Sequence, residues 1–155
     1  MKSILKWPLI IAAAVVVIRV ILEESGAPSL LNNIFGVTWL YFLLPIYFGF
    51  QIAQDAPSKP YMRLFQVTVV FLFLTRLMIL ATYCLAYVFS WSAPRFSVQG
   101  GGVVGEGVTP LQGLVLIPLL NLVIATILGT VVGMMIGSIV LAIRRRPGRA
   151  SQQSD

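Results

Sequence analysis

The sequence predicts an all-α integral membrane protein, a four-transmembrane-helix bundle with both termini on the cytoplasmic side. Three observations carry that expectation. Of the 155 residues, 58% are hydrophobic and 10% are charged, whereas a soluble domain carries roughly 25% charged residues. A mean hydropathy of +0.93 says the same. Four apolar stretches, at about 5–22, 34–53, 64–91 and 113–143, match the about 20 residues needed to cross a bilayer core of about 30 Å. The basic residues are also unevenly placed. Lys2, Lys6, Lys59, Arg63, Arg144, Arg145, Arg146 and Arg149 fall at the N-terminus, the second connection and the tail, while the first and third connections hold Arg95 alone. Basic residues of short loops stay cytoplasmic, which puts both ends inside. The connections and the basic tail, 144–155, are too short to enclose a separate core, so one membrane domain is expected.

The first span follows Lys2 and Lys6, and Ser25-Gly26-Ala27 imitates a signal-peptide cleavage site. Arg19 interrupts the apolar run, and Glu23, Glu24 and Pro28 crowd the site, so a retained anchor is expected. Trp7 marks its inner interface.

In the second span, Pro45 removes one backbone donor and frees the carbonyl of Tyr41, which predicts a kink. Neighbouring helices satisfy such carbonyls in membranes. The aromatic run Trp39, Tyr41, Phe42, Tyr47, Phe48 and Phe50 surrounds more than one face, as lipid contact and packing require.

The third span carries Arg76 near its centre, where a charge needs a partner or water. At 100° per residue, Arg76 shares an arc of about 140° with Thr68, Thr75, Thr82, Tyr83, Tyr87 and Ser90, so this helix has a polar side that should face the bundle. Cys84, the one cysteine, reads as a small packing residue without a disulfide partner.

The fourth span, if wholly helical, would be about 45 Å long. Pro118 therefore predicts a kink between a short outer piece and the main helix. Along that helix Ala125, Gly129, Gly133 and Gly137 recur every fourth residue. Small residues at this spacing let a second backbone approach closely, whether from this chain, a second copy or another subunit.

Depth arithmetic brings the charges together. Counting from Trp7 and Leu64, Arg19 and Arg76 each lie about 18 Å from the inner boundary, with Glu23 and Glu24 at about 24 Å. An electroneutral layer of these four residues is expected in the outer half, with Asn32, Asn33 or Asn121 completing its hydrogen bonds. One reading is a polar clasp between the first and third helices. The other is a site for an anionic group or lipid headgroup, or for proton exchange at a glutamate.

The third connection holds Gly100, Gly101, Gly102, Gly105 and Gly107, but lacks the Gly-Lys-Ser/Thr ending that grips phosphate and magnesium. A mobile or hairpin-like outer loop is expected, with Arg95 and Glu106 its only charges.

Composition also excludes chemistry. With no histidine, one cysteine and five carboxylates, the chain cannot build a Ser-His-Asp triad, a His-ligated haem or a Cys/His zinc site. No enzyme activity, cofactor or metal is expected. The net charge of +6 is largely the cytoplasmic basic set, so no nucleic-acid partner is needed. In size and span number the chain resembles the small multidrug exporters. Their glutamate lies deep in the first helix, whereas Glu23 and Glu24 lie near its outer end beside Arg19, so their mechanism does not carry over. The expected role is a structural or accessory subunit in the lipid bilayer of a bacterial inner membrane, contacting a membrane-protein partner or a second copy through the fourth span. The alternative is a small oligomeric transporter, or a lipid- or anion-binding protein, using the Arg/Glu layer.

Overall fold

The computed structural model describes residues 2–34 and 36–145. Arg146, Arg149 and most of the basic tail, together with the side chains of Lys2 and Asn33, lie outside what is described. The helices are α1 (Lys2–Glu24), α2 (Ser29–Ile34), α3 (Thr38–Asp55), α4 (Pro60–Phe89) and α5 (Ile117–Arg144), with a 3₁₀ turn at Val98–Gly100 and a π-helical turn at Gln112–Leu116. No strand occurs among the described residues; an isolated bridge joins Ser97 to Val104.

Three helical segments are long and apolar enough to cross a membrane: Ile4–Glu24, Pro60–Phe89 and Gln112–Arg144. The stretch expected as a second span is divided. Ile34 ends the short α2, and α3 starts only at Thr38. With 18 residues α3 has nearly the length, but Thr38, Gln51, Gln54 and Asp55 dilute its apolar character, and it is not among the three.

α5 packs chiefly on α3 and α4, while α1 packs on α4 and touches α3 lightly. Phe48, Ile52, Leu64, Val67, Phe71, Leu72 and Leu141 are fully buried between them. The rings of Phe48 and Phe71 meet edge-on at 5.7 Å, the geometry that aromatic quadrupoles favour. α1 contributes Ile4, Leu5, Ala12 and Val16 to the same core.

The small-residue stripe of α5 is seated inside the chain. A Cβ added at Gly133 would lie 2.8 Å from Thr68 Cγ2 and 3.3 Å from Pro45 Cγ, and one at Gly137 would lie 2.9 Å from Leu64 Cδ1. Gly49 of α3 answers from the other side, its virtual Cβ falling 2.9 Å from the Gly137 carbonyl oxygen. Gly129 faces Leu72, and Ala125 is half-buried one turn further out. Close approach of α3 and α4 to α5 thus depends on Gly133 and Gly137. Pro45, where a kink is expected, sits inside one uninterrupted helix with its ring against Gly133.

At the N-terminal end of α5 the irregularity precedes Pro118. The π-helical turn absorbs it, and Pro118 itself stands in the first turn of the regular helix. A proline cannot donate to the carbonyl four residues earlier, here that of Leu114. The Cys84 thiol supplies the missing bond, donating to the Leu114 carbonyl at 3.6 Å. Cys84 therefore does more than fill space.

Candidate functional site

The connection between α4 and α5 folds into a cap. Phe96 and Val103 are fully buried, and Phe96 meets Tyr83 edge-on at 5.4 Å and Trp91 at 5.3 Å. Ser97 N–H donates to Pro94, and the amides of Val103 and Val104 both donate to the Phe96 carbonyl. The glycines make this fold sterically feasible. A Cβ on Gly102 would collide with the Phe96 backbone, and Gly101 has a φ of +80°. The mobile alternative expected for this loop is replaced by a tight turn, because its aromatic residue has a hydrophobic seat between α4 and the loop.

This cap delivers Arg95 to the end of α1. Arg95 Nη1 donates to Glu23 Oε2 at 3.0 Å, and Arg19 Nε donates to Glu23 Oε1 at 2.8 Å. Glu23 is only 8% exposed, so one carboxylate bridges two guanidiniums in a largely desolvated place. Arg95 also donates to Thr82 Oγ1 at 3.4 Å and lies over the rings of Phe96 and Tyr83, at 4.8 and 5.4 Å. Glu24, which is exposed, accepts from the Ala93 amide at 3.2 Å.

The expected layer of Arg19, Glu23, Glu24 and Arg76 is thereby rearranged. Among the described residues no carboxylate lies within ion-pair distance of Arg76. Its guanidinium lies over the Tyr41 ring at 4.9 Å, and its Nε is buried without a hydrogen-bond partner. Glu23 is already engaged by Arg19 and by Arg95, and Glu24 is turned to the loop backbone. Sequence reasoning missed Arg95, whose one signal is that it is the sole basic residue of the first and third connections. Asn32 Nδ2 donates to the Ala27 carbonyl at 3.2 Å, away from the arginines.

Arg19, Arg76 and Arg95 nevertheless share a setting. They line one cavity of about 210 Å³ together with Val16, Val37, Thr38, Tyr41, Ile79 and Tyr83. A smaller cavity on the other side of Arg76 is lined by Leu80, Pro118, Asn121 and Leu122. Val37 and Thr38 form the start of α3, which has no side-chain cap, so positive backbone ends add to the three side chains. The Tyr41 hydroxyl is a further buried group without a partner. The cavity thus gathers three arginines, two of them paired with Glu23, which lies outside its lining. No group of three or more His, Cys, Asp or Glu suited to a metal occurs among the described residues. Comparison with family models, with curated proteins and with solved structures gives no match.

Proposed function

We propose that this chain is a non-enzymatic, multi-pass membrane protein that binds an anionic group in the Arg19–Arg76–Arg95 cavity. The observation that carries the reading is the imbalance of charge: three arginines line the cavity, and Glu23, ion-paired with two of them, leaves Arg76 without a carboxylate. A partly buried guanidinium without a counter-charge is unfavourable, and a bound anion reduces that cost. The same arrangement favours binding over the purely structural clasp, which would pair every charge internally.

In this reading α3 is the fourth span, enclosed by α4 and α5. Both termini face the cytoplasm, and the membrane is a bacterial inner membrane. The basic residue distribution supports that orientation, with Lys59, Arg63, Arg144 and Arg145 at one end and the Arg95 cap at the other. Arg145 donating to the Pro57 carbonyl at 3.0 Å and Arg63 pairing with Asp55 at 3.2 Å tie the inner ends together.

The test uses the purified full chain in mild detergent, with thermal unfolding followed across a panel of anions at constant ionic strength. Stabilisation by at least one anion, lost in Arg76→Gln, is expected. A melting temperature indifferent to every anion would sink the reading.

A second reading, an accessory subunit of a larger complex, is favoured by one observation. α5 leaves a broad apolar face exposed, including Leu120, Ile127, Leu128, Met135 and Ile139. Lipid covers such a face equally well, and native mass spectrometry from the parent membrane separates the two. Stoichiometric partner subunits support the second reading, and a lone chain or a homo-oligomer removes it.

A further inference from the structure

We propose that the anion taken by this cavity is of the phosphate class, a tetrahedral oxyanion presented by a lipid headgroup or by a free phosphate compound. The inference rests on the anion-binding reading above and names its ligand chemistry.

Charge is the first argument. Three arginines line the cavity, and Glu23, which is not part of the lining, offsets one charge by pairing with Arg19 and Arg95, which leaves an excess of two positive charges. A carboxylate or the phosphodiester of a lipid headgroup, each a monoanion, offsets half of it, while a free phosphate or phosphomonoester dianion offsets all of it.

Direction is the second. The donors come from three separate parts of the chain: Arg19 from α1, Arg76 from α4 and Arg95 from the α4–α5 cap. A planar carboxylate presents two oxygens and is satisfied by one guanidinium in a bidentate pair. Donors converging from several sides match an ion whose oxygens point to the corners of a tetrahedron.

Orphaned groups are the third. Tyr41 is 8% exposed, and its hydroxyl has no partner; the same holds for the buried Arg76 Nε. Both residues line the cavity. Its volume, about 210 Å³, exceeds many times the 10–15 Å³ or so that a single water needs on this measure, so there is room for a phosphate and its first substituent.

Inorganic phosphate and acetate are the probes, titrated against the full chain in detergent at constant ionic strength. A parallel arm reconstitutes the chain in nanodiscs of phosphatidylcholine with or without phosphatidylglycerol. Phosphate is expected to raise the melting temperature and acetate is not. Arg76→Gln is expected to weaken phosphate binding by about tenfold or more, while in phosphate-free buffer it unfolds no earlier than the parent chain, because it removes an unpaired charge. Arg76→Lys, which keeps the charge but loses the fork, is expected to lie between them. Phosphatidylglycerol retained through delipidation in the parent chain but not in Arg76→Gln assigns the phosphate to a lipid. A phosphate response without retained lipid assigns it to a free compound. An Arg76-dependent response to acetate that equals or exceeds the phosphate response overturns the phosphate inference and leaves the anion-binding reading standing. No response to any anion or lipid overturns both.

Discussion

Arg95 and Glu23 are 72 positions apart in the chain, yet their side chains meet at 3.0 Å. That contact joins the α4–α5 cap to the end of the first helix. It also sets the charge beside the cavity, because it commits Glu23, the one buried carboxylate among the described residues, to Arg95 and Arg19 and leaves Arg76 to Tyr41.

Replacing Glu23 with Gln should destabilise the chain by about 1–3 kcal/mol. The substitution strands two mostly buried guanidiniums, and the estimate is reduced from the about 3–5 kcal/mol of a fully buried pair because Arg19 and Arg95 keep some exposure. A double-mutant cycle with Arg95→Gln, read by chemical unfolding in detergent, should give a coupling of about 1 kcal/mol or more. A coupling near zero would mean the ion pair does not hold the cap.

Substitution at Gly133 tests whether the α5 stripe serves packing within one chain. Gly133→Leu must displace Thr68 and Pro45 and should cost about 3 kcal/mol or more, at the upper end of overpacking penalties. Gly129→Ala meets only the tip of Leu72 at 3.2 Å and should cost less than about 1 kcal/mol. Loss of an oligomer at unchanged chain stability, seen by size-exclusion with light scattering, would assign the stripe to a contact between chains instead.

The α4–α5 cap should be sensitive to Gly102→Ala far more than to a side chain at an open position. Alanine at Gly102 collides with the Phe96 backbone, which should lift Phe96 from between Tyr83 and Trp91. Limited proteolysis between Ser90 and Leu111 is the measurement, and cutting should accelerate several-fold. Gly101→Ala meets open space but a left-handed φ of +80°, so a cost of only about 1–2 kcal/mol is expected.

Cys84→Ala removes the donor that serves the Leu114 carbonyl and should cost about 0.5–1.5 kcal/mol, the net worth of a hydrogen bond. Cys84→Ser keeps a donor in place and should recover part of that loss. Equal stability of the two variants in an unfolding titration would show that the thiol acts only by volume.

Topology has its own test, since it rests on charge distribution. Single cysteines at Ser58 and at Val98, in a Cys84→Ser background, should be labelled from opposite faces of inside-out vesicles by an impermeant maleimide. The Ser58 position is expected on the cytoplasmic side. Labelling of both from one face would require an odd number of spans between them to be withdrawn.

The sequence by itself determined the all-helical membrane class and the approximate limits of the long helices. Hydropathy and charge count are local properties that a bilayer reads directly, whatever the helices pack against. It also singled out Pro118, Arg76 and the glycine stripe, because a proline, a buried charge or a missing Cβ is unusual wherever it stands in such a helix. Only the tertiary structure decided the partners. Gly133 meets Thr68 and Pro45, Cys84 meets Leu114, and Glu23 meets Arg95 instead of Arg76. These choices join residues from different helices and loops, and the last of them depends on how the glycine-rich cap buries Phe96 beside Arg95. Helical periodicity gives each side chain a face and a height, but a long-range pair also requires the rotation and spacing of two helices at once, which packing sets.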